Sequence, residues 1–219
     1  MLYNYLNETR SVTFFHSLPF NRRSLYWNLN IAGAVGMLIP IVITALVCLL
    51  IRFIGSFGML YQAWDVFNWF LTYFIMELVF FSSAVFVGMV TGLPMVQPIF
   101  TLIMHGLPAA LYGLTAIVLH QTIYGFPNYT SQMKWADNLP IVRLFIEPLF
   151  GVSERGYVGF IYLGIMLLLI IAFLLIGLWL YGRRPMERTG DIIVFPVLRP
   201  VFKYGVTYCA MLSGALLIS

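Results

Sequence analysis

The sequence predicts an all-α, polytopic helical membrane protein with four full transmembrane helices and a fifth partial one. Three observations carry that expectation. The 219-residue chain is 61% hydrophobic and only 9% charged, where a soluble domain carries roughly 25% charged residues. It lacks the polar side chains to cover a water-facing surface. Four stretches reach the roughly 20 apolar residues that cross a bilayer core about 30 Å thick. The arginines and lysines collect in the segments that flank these stretches.

In chain order, the N-terminal MLYNYLNETR has no basic start followed by an apolar run, so it is not a signal peptide. The next stretch, SVTFFHSLPF, is apolar and aromatic but too short to span. Pro19 breaks the chain, and Asn21 is placed to cap a helix that runs on into the membrane. Residues 1–30 therefore read as an amphipathic cytoplasmic elbow joined rigidly to a span. The first span covers Ile31 to Ile54, and the second Val66 to Val90. Only Thr91 to Val96 separate the second from the third, Gln97 to Gln121, which makes these two a tight hairpin. A long loop, 122–156, follows. Its piece NLPIVRLFIEPLF mixes apolar residues with Arg143 and Glu147, and it reads either as an amphipathic helix lying at the interface or as an ordinary folded loop. The fourth span, Tyr157 to Tyr181, contains no charge. The bundle is thus expected over 31–182. Residues 183–219 form a second cytoplasmic elbow and a further helix from about Tyr204 to Ser219. That helix reaches only about 24 Å, and it ends without an interfacial anchor, so truncation is expected rather than a re-entrant helix.

Orientation follows the basic residues. Arg10, Arg22 and Arg23 precede the first span, and Arg183, Arg184, Arg188, Arg199 and Lys203 follow the fourth. Four crossings put these segments on one side. On the other side Arg52, Lys134, Arg143 and Arg155 are balanced by Asp65, Asp137, Glu147 and Glu154. The basic side is expected to be cytoplasmic. Tyr26, Trp27, Trp64, Trp69, Trp179 and Tyr181 fall near span ends, where aromatic belts form. Two glycosylation patterns, at Asn7 and Asn128, fall on opposite faces of this topology, so at least one is a chance match. Cys48 and Cys209 lie in apolar runs and match no metal site or disulfide framework.

Few residues inside the spans carry chemistry. Glu77 lies near the middle of the second span, where a carboxylate costs a few kcal/mol unless it is neutralised or faces the protein interior. It reads as a substrate, proton or gating contact, or as a protonated or hydrogen-bonded anchor between helices. His105 lies in the third span. The short hairpin sets positions summing to about 187 level with each other, which puts His105 opposite Ser82 and Ser83 and about five residues in depth from Glu77. A histidine–serine hydrogen bond is expected ahead of an ion pair. Ala84, Gly88 and Gly92 recur every four residues as a stripe for close helix packing, with Gly33 and Gly36 in a similar role. Pro40 and Pro108 should kink their spans. The sequence holds no HExxH, no metal-ligand spacing in the spans and no Walker-type phosphate loop. No cofactor, metal or nucleic-acid partner is expected, and ATP hydrolysis would need a separate subunit.

"FFHSLPFNRRSLYW" followed by "NIAGAVGMLIPIVI" resembles bacterial ATP-binding-cassette transporter permeases of the type-two export class. "YGRRPMERTGDIIVFPVLRPVFKYGV" is similar to the elbow, with its Arg-Arg, Glu, Gly and Phe, of a Firmicutes subgroup. The resemblance implies a permease subunit in the bacterial cytoplasmic membrane. Its partners would be an ATPase subunit and a second permease subunit, the same or different. Phe14, Phe15, Ser17, Leu18, Pro19, Arg22 and Arg23 would be the element coupled to the ATPase, and the long outer loop would match the family's outer re-entrant helices. Two family spans ahead of the elbow are missing, which implies a fragment or a short form. The scattered Ser, Thr, Tyr and Asn of the apolar path suit an amphipathic drug, peptide or lipid-like cargo. Two alternatives stand beside this one. One is a membrane-embedded enzyme using Glu77 and His105. The other is a non-catalytic scaffold assembled through the glycine stripe.

Overall fold

Asn21 begins the first helix in the way its side chain allows. The Arg23 amide donates to Asn21 Oδ1 at 3.3 Å, which satisfies one of the amides a helix start leaves open. From there the chain continues without a break through α1 (Arg22–Ile54). The computed structural model describes residues 21–54, 61–125, 139–142, 159–183 and 199–218. Its further helices are α2 (Ala63–Val90), α3 (Val96–Thr122), α4 (Phe160–Arg183) and α5 (Arg199–Ile218). There is no strand among the described residues. In hydrocarbon every backbone amide needs a partner within its own segment, and helices provide one.

Helices α1 to α4 are long and apolar enough to cross a membrane. Their 33, 28, 27 and 24 residues correspond to about 50, 42, 40 and 36 Å, more than the hydrocarbon core, so their ends reach the headgroup layers. The outward surface fits this. Ile31, Val35, Ile39, Ile43, Leu46 and Leu50 recur down one face of α1, and all are exposed. Water would not tolerate such a stripe, whereas lipid tails do. The chain is a membrane-embedded helical bundle.

Helix α2 is the centre. It packs against α1, α3 and α4, most extensively against α4, while α5 packs on α3. In its most apolar stretch 44% of α2 is buried, against 6% of α1. Two clusters join α2 to α4. Ile75, Met76 and Val79 meet Leu163, Met166 and Ile170. Further along both helices, Val85, Met89 and Val90 meet Leu180 and Tyr181, with Tyr26 of α1 completing the group. Residue numbers rise together, so α2 and α4 are parallel, as the second and fourth crossings of an alternating bundle must be. Lipid tails are as apolar as leucine, so these clusters stabilise through packing rather than through escape from water.

The structure alters several expectations. Tyr26 and Tyr181 are buried, not part of an interfacial belt, whereas Trp27, Trp64 and Trp179 are exposed. Tyr26 lies against Gly177 of α4, where an added Cβ would stand 2.7 Å from the tyrosine oxygen. The missing side chain lets that hydroxyl donate to Leu174 O at 2.8 Å. Gly36 does not pack: nothing lies within 4 Å of where its Cβ would be. It sits four residues before Pro40, where the proline ring crowds the preceding turn. Helix α5 begins at Arg199 rather than near Tyr204. Pro200 explains the earlier start, since proline is suited to a first turn whose amides need no helical partner. At the far end of α1, Arg52 donates to Tyr61 O at 2.8 Å and Tyr61 to Cys48 O at 2.7 Å. The α1–α2 connection is thereby tied to the helix it leaves. Of the long outer loop only residues 122–125 and a turn at 139–142 are described, the turn closed by Val142 N donating to Leu139 O at 3.0 Å; the expected interfacial helix lies mostly outside the described residues.

Candidate functional site

The short α2–α3 connection brings two polar side chains together inside the bundle. Ser83 of α2 and His105 of α3 are both buried, and Ser83 Oγ lies 2.8 Å from His105 Nε2. The serine hydroxyl also donates to Phe80 O at 2.8 Å. With its one proton used there, Oγ accepts from the imidazole, which assigns the proton to Nε2 and leaves Nδ1 as an acceptor. Phe80 stacks on the imidazole, with ring centroids 4.1 Å apart and planes 17° from parallel. One face of the imidazole and its Nε2–H are thus fixed.

Beside His105 opens a cavity of about 320 Å³, walled mainly by Met104, Pro108, Tyr162, Met166 and Phe173. Leu139 and Pro140 of the outer turn complete its wall, and the neighbouring Ile141 seats itself 3.8 Å from the Cβ position of Gly106. That volume is at the lower end of what a small-molecule pocket provides. Pro108 has no amide to give the Met104 carbonyl four residues earlier, so α3 loses a backbone bond beside the cavity. The walls are apolar apart from the imidazole and the Tyr162 phenol. Such a site suits a molecule that is mostly hydrocarbon and carries one or two polar groups.

The other sequence-derived candidates fall out as follows. Ser82 does not reach α3; it donates within α2, to Val79 O at 3.0 Å, because its side chain points a helical step away from Ser83. Glu77 is half-buried on α2. No hydrogen bond or ion pair joins it to another described residue, and it does not line the cavity. The enzyme reading draws on Glu77 and His105, and among the described residues no hydrogen bond or ion pair joins the two. Ser83 is 0% exposed and does not line the cavity.

Ala84 and Gly88 do mark close packing, and the partner is Gln97 at the start of α3. Gln97 Nε2 donates to Ala84 O at 2.8 Å, and an added Cβ on Gly88 would stand 2.8 Å from that same nitrogen. This part of the stripe is used within the hairpin. Gly92 is not on the helix; it is buried in the connection, beyond the end of α2 at Val90. Arg22 and Arg23 form the first turn of α1. Phe14, Phe15, Ser17, Leu18 and Pro19 lie outside the described residues.

Sequence reasoning missed Gln97, Phe80, Tyr162 and the pairing of Tyr26 with Gly177. Of these Gln97 carried a signal, being an amide at the mouth of a hairpin where no lipid could satisfy it. Comparison with protein-family models, with known proteins and with solved structures found no match to this chain.

Proposed function

We propose that this chain is the membrane-spanning permease subunit of an ATP-driven transporter that exports an amphipathic drug, peptide or lipid-like molecule. A separate ATP-binding-cassette ATPase would supply the energy, and a second permease subunit would complete the path, in a bacterial cytoplasmic membrane. The observation that carries this reading is the apolar cavity beside His105. It lies between membrane-spanning helices, and its few polar groups suit a cargo with a small polar part. The resemblance of the arginine-bearing elbow segments to type-two export permeases supports the same reading. The sequence holds no Walker-type phosphate loop, which supports a reading in which hydrolysis belongs to another chain.

The test is co-reconstitution with the ATP-binding-cassette ATPase that the proposal expects to co-purify with this chain, in vesicles, with an amphipathic rhodamine dye as probe. ATP-dependent dye movement is expected. Replacing Phe14, Phe15 and Leu18 together by Ser should leave hydrolysis running while dye movement stops. Filling the cavity with Met166→Trp should abolish dye movement and dye-stimulated hydrolysis alike. Unchanged dye movement in both variants contradicts the proposal.

A further inference from the structure

A second cleft lies at the arginine-bearing end of the bundle, apart from the cavity beside His105. It has a volume of about 420 Å³ and is walled by Arg22 and Arg23 from the first turn of α1 and by Leu175, Leu178, Trp179 and Arg183 among the residues of the last turns of α4. Three arginines line it. Among the described residues no acidic side chain lines it, and no ion pair joins any of the three to a described carboxylate. Arg183 is held over Trp179, with its guanidinium carbon 4.3 Å from the ring centroid. That contact fixes the plane of the cation and leaves its edge to donate hydrogen bonds. Positive side chains gathered in this way repel one another unless an anion joins them, and a phosphate offers oxygens that match the guanidinium fork.

The lower wall decides what kind of phosphate fits. Leu175 lies two turns before Arg183, about 12 Å along the helix. Leu175 and Trp179 are each more than half exposed. The cleft is therefore cationic at its mouth and apolar toward the membrane interior. A soluble phosphate would use only the mouth, whereas a phospholipid uses the whole of it.

We infer that this cleft is a binding site for an anionic phospholipid, whose phosphate is held by Arg22, Arg23 and Arg183 and whose acyl chain lies along Leu175 and Trp179. The site is built from the ends of α1 and α4, so an occupied cleft clamps the first helix to the fourth. It does not depend on what the bundle transports.

The experiment uses the full chain with Trp179 as the only tryptophan, the other four replaced by Phe, in phosphatidylcholine vesicles. Quenching of Trp179 is compared between brominated phosphatidylglycerol and brominated phosphatidylcholine. The expected result is a several-fold preference for the anionic lipid. It should fall by up to roughly fivefold for each arginine lost, reaching about one in the triple variant Arg22→Gln, Arg23→Gln, Arg183→Gln. The double variant Arg22→Gln, Arg23→Gln keeps the Arg183–Trp179 pair intact and should still lose most of the preference. Arg52→Gln, at the other end of α1, should leave it unchanged. Equal quenching by the two lipids in the chain with all three arginines overturns the inference. So does a preference that survives in the double variant, or one that about 10 mM inorganic phosphate abolishes, which marks a soluble phosphate site instead.

Discussion

Tyr26 shows how much one side chain does in this bundle. Its ring is fully buried, it lies 5.7 Å from the Tyr181 ring, and its hydroxyl reaches the backbone of α4 beside Gly177. Removing only the hydroxyl, in Tyr26→Phe, should cost about 1 kcal/mol. Gly177→Ala should cost more, because the new methyl occupies the place of the tyrosine oxygen. Together the two changes should cost clearly less than their sum, since the next tyrosine atom, Cζ, stands at an ordinary 3.7 Å from the added Cβ. Unfolding in mixed micelles measures all three; strict additivity would mean that the hydroxyl and Gly177 do not meet. Ser83→Ala should cost about 0.6 to 2 kcal/mol, the range found for hydrogen bonds between membrane helices, and the cost should vanish in a His105→Leu background. Neither Tyr26 nor Ser83 was fully legible in the sequence. Tyr26 sits at a span end, where a belt residue also sits, and the glycine that admits it is far along the chain. For the serines the reading did come close: hairpin length set the depth of His105, and only the rotation of α2 decided between Ser82 and Ser83.

At the level of elements, the α2–α3 hairpin is the part most clearly written in the sequence. Its connection is too short to allow any arrangement but an antiparallel pair, and the contact between Ser83 and His105 falls on the register which that length implies. The small residues Ala84 and Gly88 were recognisable as a packing stripe, but their partner was not, because a lone sequence does not show which helix a stripe faces. Gln97 is the answer for both. Gly88→Ala should displace the Gln97 amide from Ala84 O and destabilise the hairpin by about 1 kcal/mol. In a Gln97→Ala background the same change should cost almost nothing. Stability of the four proteins, measured by unfolding, checks this, and an equal cost for Gly88→Ala in both backgrounds would place the stripe's partner elsewhere. Association of two chains through Gly88 is not needed to explain why that residue is small. Helix α1 shows the opposite case. Its glycines looked like packing residues, yet Gly36 has open surroundings, and spacing alone cannot separate a glycine that packs from one that accommodates Pro40.

For the molecule as a whole, composition disclosed the class and the span lengths disclosed the number of crossings. With so few charges no other exterior than lipid suits the chain, and the exposed stripe on α1 is the direct consequence. Which helix occupies the centre was not legible, since α4 is the most uniformly apolar segment and yet α2 is the most buried. Nor does the content of small and polar residues decide it, since α3 carries more of them than α2 and only 11% of its most apolar stretch is buried. The cavity beside His105 also depends on three helices and an outer turn converging, and no single segment announces it. The proposed function requires four crossings with the arginine-bearing ends at Arg22 and Arg183 turned to the cytoplasm. The most direct measurement is a pair of reporter fusions, alkaline phosphatase and a fluorescent protein, placed in turn after Arg184 and within the outer loop near Asn128. Fluorescence after Arg184 and phosphatase activity near Asn128 are the predicted result. The reverse pattern, or both sites on the same side, would contradict it.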